Sequence, residues 1–140
     1  MKKYLLLFSL LFITACNGDS GSDKKSSNNS ITPPTSIAGK VYRFIIQTGT
    51  GYFATSGSFT IGLSATSDTY YLAGETPSVA DSAGIYTYTI SGVNGSLAMV
   101  DSVMGVGTCL FTFLTNTSGK YQCTVQADPG STQSGTFAEI

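Results

Sequence analysis

The chain has 140 residues, enough for one domain, with 11% charged residues, 16 glycines and neither histidine nor tryptophan. From residue 37 onward three cations (Lys40, Arg43, Lys120) stand against six carboxylates (Asp68, Glu75, Asp81, Asp101, Asp128, Glu139). Such a body lacks the clustered Lys and Arg that a phosphate backbone requires, which argues against nucleic acid as a partner. Without histidine, neither a Ser-His-Asp triad nor a Cys-His pair can be assembled.

The first element is an export signal. Lys2 and Lys3 form a positive start, Tyr4 to Ile13 is an apolar stretch of signal-peptide length, and Thr14-Ala15 are small residues ahead of Cys16. A membrane-crossing helix needs roughly 20 apolar residues to cover about 30 Å of hydrocarbon. This run is shorter, and the polar residues Asn17, Asp19 and Asp23 follow it closely.

Ile13-Thr14-Ala15-Cys16 resembles the lipobox of bacterial lipoproteins, an aliphatic and two small residues before an obligatory cysteine. The resemblance implies that the Cys16 thiol is diacylglycerated, that residues 1–15 are removed as signal peptide, and that the mature chain is membrane-anchored through an N-terminal lipid. One acyl chain holds a protein marginally and two or three hold it stably, at about 0.8 kcal/mol per buried methylene. In the same family an Asp after the cysteine favours inner-membrane retention. Asn17 is similar to the pattern released to the outer membrane, with the body in the periplasm or at the cell surface.

Residues 16–36 read as a flexible tether. The stretch NGDSGSDKKSSNNSITPPTS has one isolated hydrophobe, Ile31, and too little apolar surface to offset the entropy of ordering. A linker of about 20 such residues spans about 25 Å, and Pro33-Pro34 stiffens its last part toward polyproline II.

From Ile37 the pattern changes to short β-branched and aromatic runs broken by Gly, Asn, Asp and Ser. Alternation over KVYRFIIQ, SFTIGL and IYTYTI points one face of each strand inward. Five further candidates, DTYYLA, SLAMVD, CLFTFLT, KYQCTV and GTFAEI, bring the expectation to about eight strands. Gly92-Val93-Asn94-Gly95 and Asn116-Thr117-Ser118-Gly119 supply hairpin turns. The expected fold is therefore all-β, an antiparallel meander over residues 37–140 closing into an up-and-down barrel, with a two-sheet sandwich as the alternative.

With Cys16 assigned to lipid, Cys109 and Cys123 remain. Placing them opposite each other also pairs Phe111 with Tyr121 and Phe113 with Gly119, which puts the large side chains on one face. A structural disulfide is the first reading in an oxidising compartment. Two buried thiols, or a redox or metal pair, are the alternatives, although a metal would want further ligands and a redox pair a Cys-x-x-Cys loop.

No catalytic, metal or cofactor site is expected. A Ser-Lys pair could formally use Lys40 or Lys120, and Lys120, beside a hairpin turn, reads as a solvated ammonium. The carboxylates fall mostly at turns and strand ends, where solvated acids are common. Gly49-Thr50-Gly51 and Gly105-Val106-Gly107 lack the further glycines and helix of a phosphate loop, and no calcium-loop spacing occurs.

Candidate binding residues sit in the irregular stretches 73–84 and 101–108 and beside them: Tyr70, Glu75, Asp81, Asp101, Val103 and Met104. Tyr70 and Tyr71 are adjacent, so one must face outward in a strand. GIYTYTISGVNGSLAMVDS followed by CLFTFLTNTSGKYQCTV is similar to a pattern in uncharacterised secreted bacterial β proteins. Eight short strands behind a lipobox also resemble small calycin-like lipoproteins, but the lipocalin Gly-x-Trp signature is missing and Gly39-Lys40-Val41-Tyr42 is a poor substitute for it. Neither resemblance brings binding residues with it. The expected function is a non-enzymatic binding or structural module contacting another envelope protein, the alternative a calycin-like carrier of a small apolar ligand inside the barrel. The two differ in whether the phenylalanines and tyrosines fill the centre or line a cavity of about 300 Å³ or more.

Overall fold

Alternating apolar residues produce eight strands in the computed structural model, which describes residues 31–140. They are β1 (Val41–Gly49), β2 (Gly57–Leu63), β3 (Thr69–Gly74), β4 (Ser82–Ser91), β5 (Asn94–Asp101), β6 (Gly105–Phe113), β7 (Ser118–Val125) and β8 (Asp128–Glu139). Each pairs antiparallel with the next, and β8 returns to pair with β1, closing a barrel rather than a sandwich. The described residues contain no helix.

Strand period explains which residues meet inside. Tyr42, Phe44 and Ile46 of β1, Phe59, Ile61 and Leu63 of β2, and Cys109, Phe111 and Phe113 of β6 are all buried, while their neighbours face out or toward the barrel wall. The middle of the barrel is filled by rings. Phe44 stacks on Phe59 with centroids 4.8 Å apart and meets Tyr121 edge-on at 5.1 Å. Phe137 lies 5.1 Å from both Phe111 and Phe113. Offset and edge-to-face contacts of this kind add to simple burial.

Two glycines are required by shape. Gly105, at φ 75, lets the chain reverse after residues 102–104 and start β6 at once, so the stretch 101–108 is a tight turn between two strands rather than an extended loop. Gly135 faces inward on β8, where a Cβ would fall 1.9 Å from the Ile45 carbonyl oxygen and 3.0 Å from the Tyr121 ring. The Tyr121 ring thus lies against bare backbone.

β8 is longer than GTFAEI suggests, beginning at Asp128, because two of its inward residues, Ser131 and Gln133, are polar and hide the alternation. The tether boundary also moves. Cys16 and residues 16–30 of the expected tether lie outside the described residues, but 31–36 pack onto the barrel. Pro33 is fully buried, Ile37 joins the core with partly buried Ile31 packed against it, and Ser36 Oγ accepts a bond from the Ala38 N–H at 3.2 Å. Proline has little backbone freedom to lose, so its ring is held against the core at small entropic cost.

The meander gives the barrel two unlike ends. One, the N-terminal end, carries residues 31–40, the chain's last residue and the connections 64–68, 92–93 and 114–117. Gly39 N–H bonds to the Leu63 carbonyl there, Ile140 N–H to the Val41 carbonyl, and Lys40 pairs with Glu139 at 2.7 Å. The other, far end carries the connections 50–56, 75–81, 102–104 and 126–127.

Candidate functional site

At the far end the aromatic packing stops short of the loops and leaves a cavity of about 170 Å³. Its floor is Phe44, Phe59 and Phe111, and its rim includes Phe53, Val79 and Met104. The Cys109–Cys123 disulfide forms part of the wall. Its half-cystines are directly opposed on β6 and β7 with Cα atoms 4.0 Å apart, and Phe111↔Tyr121 and Phe113↔Gly119 follow in the same register, as the sequence leads one to expect.

One charged group lines the cavity. Asp101 ends β5 and is 7% exposed, with all its acceptor positions used. Oδ1 accepts the Val103 and Met104 N–H groups at 2.8 and 2.9 Å, and Oδ2 accepts the Tyr70 hydroxyl and the Ser82 hydroxyl, the latter at 2.7 Å. Burial pushes its carboxyl up, but the bonds from Tyr70, Met104, Ser82 and Val103 outweigh this and hold it below the usual aspartate range. Tyr70 is pushed the other way, first by burial and then by its bond to Asp101, so it remains a protonated donor. The carboxylate thereby folds the 102–104 turn over the barrel mouth.

A neutral polar group lies across from it. Gln133 of β8 accepts the Tyr121 hydroxyl on Oε1 and donates from Nε2 to the Ala54 carbonyl, both at 3.3 Å, fastening the 50–56 loop to the wall. Replacing Gln133 by methionine keeps the volume but strands both partners, and is expected to lower stability by roughly 1–2 kcal/mol in urea unfolding.

The sequence candidates divide between this cavity and the outer wall. Tyr70, Asp101, Val103 and Met104 line the cavity, with Val103 still 64% exposed at its rim. Glu75 and Asp81 do not. Glu75 pairs with Arg43 at 2.8 Å and accepts the Ser58 hydroxyl at 2.7 Å, bonds that hold its carboxyl low. Asp81 accepts the Gly74 N–H at 2.8 Å and the hydroxyl of Tyr71, the outward member of the tyrosine pair. Both fasten the 75–81 loop from outside while Ser78, Val79 and Ala80 of that loop reach the cavity. Ser82, Gln133, Phe53 and Ala54 are members that sequence reasoning missed. Ser82 and Gln133 share the inward period of their strands, but Phe53 and Ala54 carry no local signal.

Among the described residues no group of three or more His, Cys, Asp or Glu is placed to hold a metal ion. Comparison with protein-family models, curated proteins and solved structures finds no match to this chain.

Proposed function

We propose that this chain is a lipid-anchored module of the bacterial cell envelope, at the outer membrane, that acts without catalysis by binding another envelope component through the far end of its barrel. The observation that carries this reading is the polarity of the barrel. Residues 35–38 lie beside the 64–68 connection at one end, while the cavity and the loops that frame it occupy the opposite end. An anchor on the first end leaves the second free to meet a partner. The sequence from Ile13 to Cys16 and its resemblance to a lipobox support the anchor, and Asn17 supports the outer membrane.

The carrier reading draws on the same cavity, and its size limits the cargo. Pockets for drug-sized ligands run from about 300 to 1,000 Å³. Here the rings of Phe44, Phe59, Phe111 and Phe137 take the central space, so a long acyl chain has no room along the barrel axis.

Intact-mass analysis of the full chain extracted from membranes tests the anchor. The expected product starts at Cys16 and carries a diacylglyceryl thioether, and Cys16→Ser moves the protein to the soluble fraction. A product that keeps Met1, or one cut elsewhere and found unlipidated, overturns the reading.

A further inference from the structure

We propose that the far-end cavity is a binding site for a small organic cation, an amine or alkylated ammonium carried on a single compact apolar ring. This deepens the reading of the far end as the binding end and rests on it, but not on the lipid anchor.

Three observations converge on that chemistry. The first is size. An apolar protein cavity of about 150 Å³ takes up benzene, and this one measures about 170 Å³. One six-membered ring fits and two do not.

The second is the wall. Phe44, Phe59 and Phe111 present aromatic rings, and Met99, Met104 and the disulfide present polarizable sulfur. Rings and soft sulfurs of this kind pack against the apolar ring of a ligand and leave its charged head to lie at the rim. Few wall groups remain free to recognise a neutral polar ligand. Ser82 and Tyr70 already donate to Asp101, and Gln133 already bonds to Tyr121 and Ala54.

The third is unbalanced charge. Asp101 is bonded by two N–H and two O–H groups, all neutral, so its negative charge is solvated but not cancelled. The cations of the described residues are engaged or placed elsewhere. Lys40 pairs with Glu139 at the N-terminal end, Arg43 pairs with Glu75 on the outer wall, and Lys120 points outward on β7. Asp81 and Asp128 add further negative charge near the loops of the same end. A cationic head at the rim beside Asp101, with its ring on the phenylalanine floor, satisfies the carboxylate's field. An anion of the same shape is repelled, because a buried charge is poorly screened.

The test uses three probes of one shape, benzylammonium, benzyl alcohol and benzoate, titrated into the full chain while the methyl signals of Met99 and Met104 are followed by NMR. Benzylammonium is expected to bind about tenfold tighter than benzyl alcohol, with benzoate not binding. Val79→Phe, which places a ring in the cavity mouth, is expected to remove binding of benzylammonium. Asp101→Asn is expected to shrink its advantage over the alcohol to about twofold or less. Should that variant fail to fold, the ranking of the three probes on the unaltered chain still decides. Equal binding of alcohol and ammonium overturns the proposal in favour of an unselective apolar cavity. Ammonium binding that survives Val79→Phe overturns it in favour of attraction to the acidic surface. Neither result bears on lipidation, which the mass measurement reads separately.

Discussion

Replacing Asp101 by alanine is expected to cost about 3–4 kcal/mol of stability, because several buried or partly buried donors lose their acceptor together. Tyr70 and Ser82 hydroxyls would be left inside the barrel end, and the Val103 and Met104 N–H groups would lose the contact that shapes the turn. The measurement is urea unfolding at neutral pH. The effect should be specific to this carboxylate: Asp81→Ala, on the outer wall, loses one backbone and one exposed phenol contact and should cost far less.

The same group fixes the acid limit. Its folded-state pKa is depressed, so its contribution is fully present above the unfolded aspartate value near 4 and is lost as pH falls through the lower folded value. Stability should therefore decline from about pH 4 downward, and Asp101→Asn should flatten that decline. An asparagine variant with an unchanged acid slope would show that other carboxylates set it. At the alkaline side the sign reverses. Tyr42, Tyr70 and Tyr121 are all raised, chiefly by burial, so the stability tied to their protonated forms is present below about pH 10 and lost above it.

Replacing Cys109 and Cys123 together by alanine is expected to lower stability by about 3 kcal/mol and the melting temperature by about 15 °C. The bond joins residues 14 apart in sequence, and the loop it closes is already a β-hairpin in the folded state. Its effect therefore falls mainly on the unfolded chain, which loses freedom while the native strands are undisturbed. Thermal unfolding with and without a strong reductant checks this. The reduced wild type should approach the double variant, and a wild type indifferent to reductant would show that the bond is not formed in solution. Alanine also removes two sulfurs from the cavity wall, so the variant should bind a ring-sized probe more loosely as well as melt earlier.

Much of the barrel was legible because its inner face is apolar. The period-two spacing of Tyr42, Phe44 and Ile46, and of Cys109, Phe111 and Phe113, identifies strands without knowledge of their partners. The cysteine register follows from requiring large residues on one face. Reading failed where that face turns polar. Ser131 and Gln133 look like loop residues because polar side chains are seldom placed inside, and here they serve Asp128 and the 50–56 loop. It failed again at Pro33, where composition argued for a tether and one ring found a gap in the core.

The candidate site was legible only as a list of loops. Tyr70 and Tyr71 are equivalent by composition, and only the inward partner Leu72 assigns Tyr70 to the interior. Asp101 reads as a turn acid until the Tyr70 and Ser82 hydroxyls are brought to it from β3 and β4. The cavity itself is a product of three connections, 50–56, 75–81 and 102–104, meeting at one end, and no local window of sequence contains it.

Because β8 returns to β1, each strand of the barrel has a neighbour on both sides and its ladder groups are already engaged. A visiting polypeptide thus has no open flank on which to lay itself as a ninth strand. Whatever recognises this protein must do so through side chains or at the barrel's mouth. Copies of the barrel are likewise spared the edge-to-edge growth that begins fibrils.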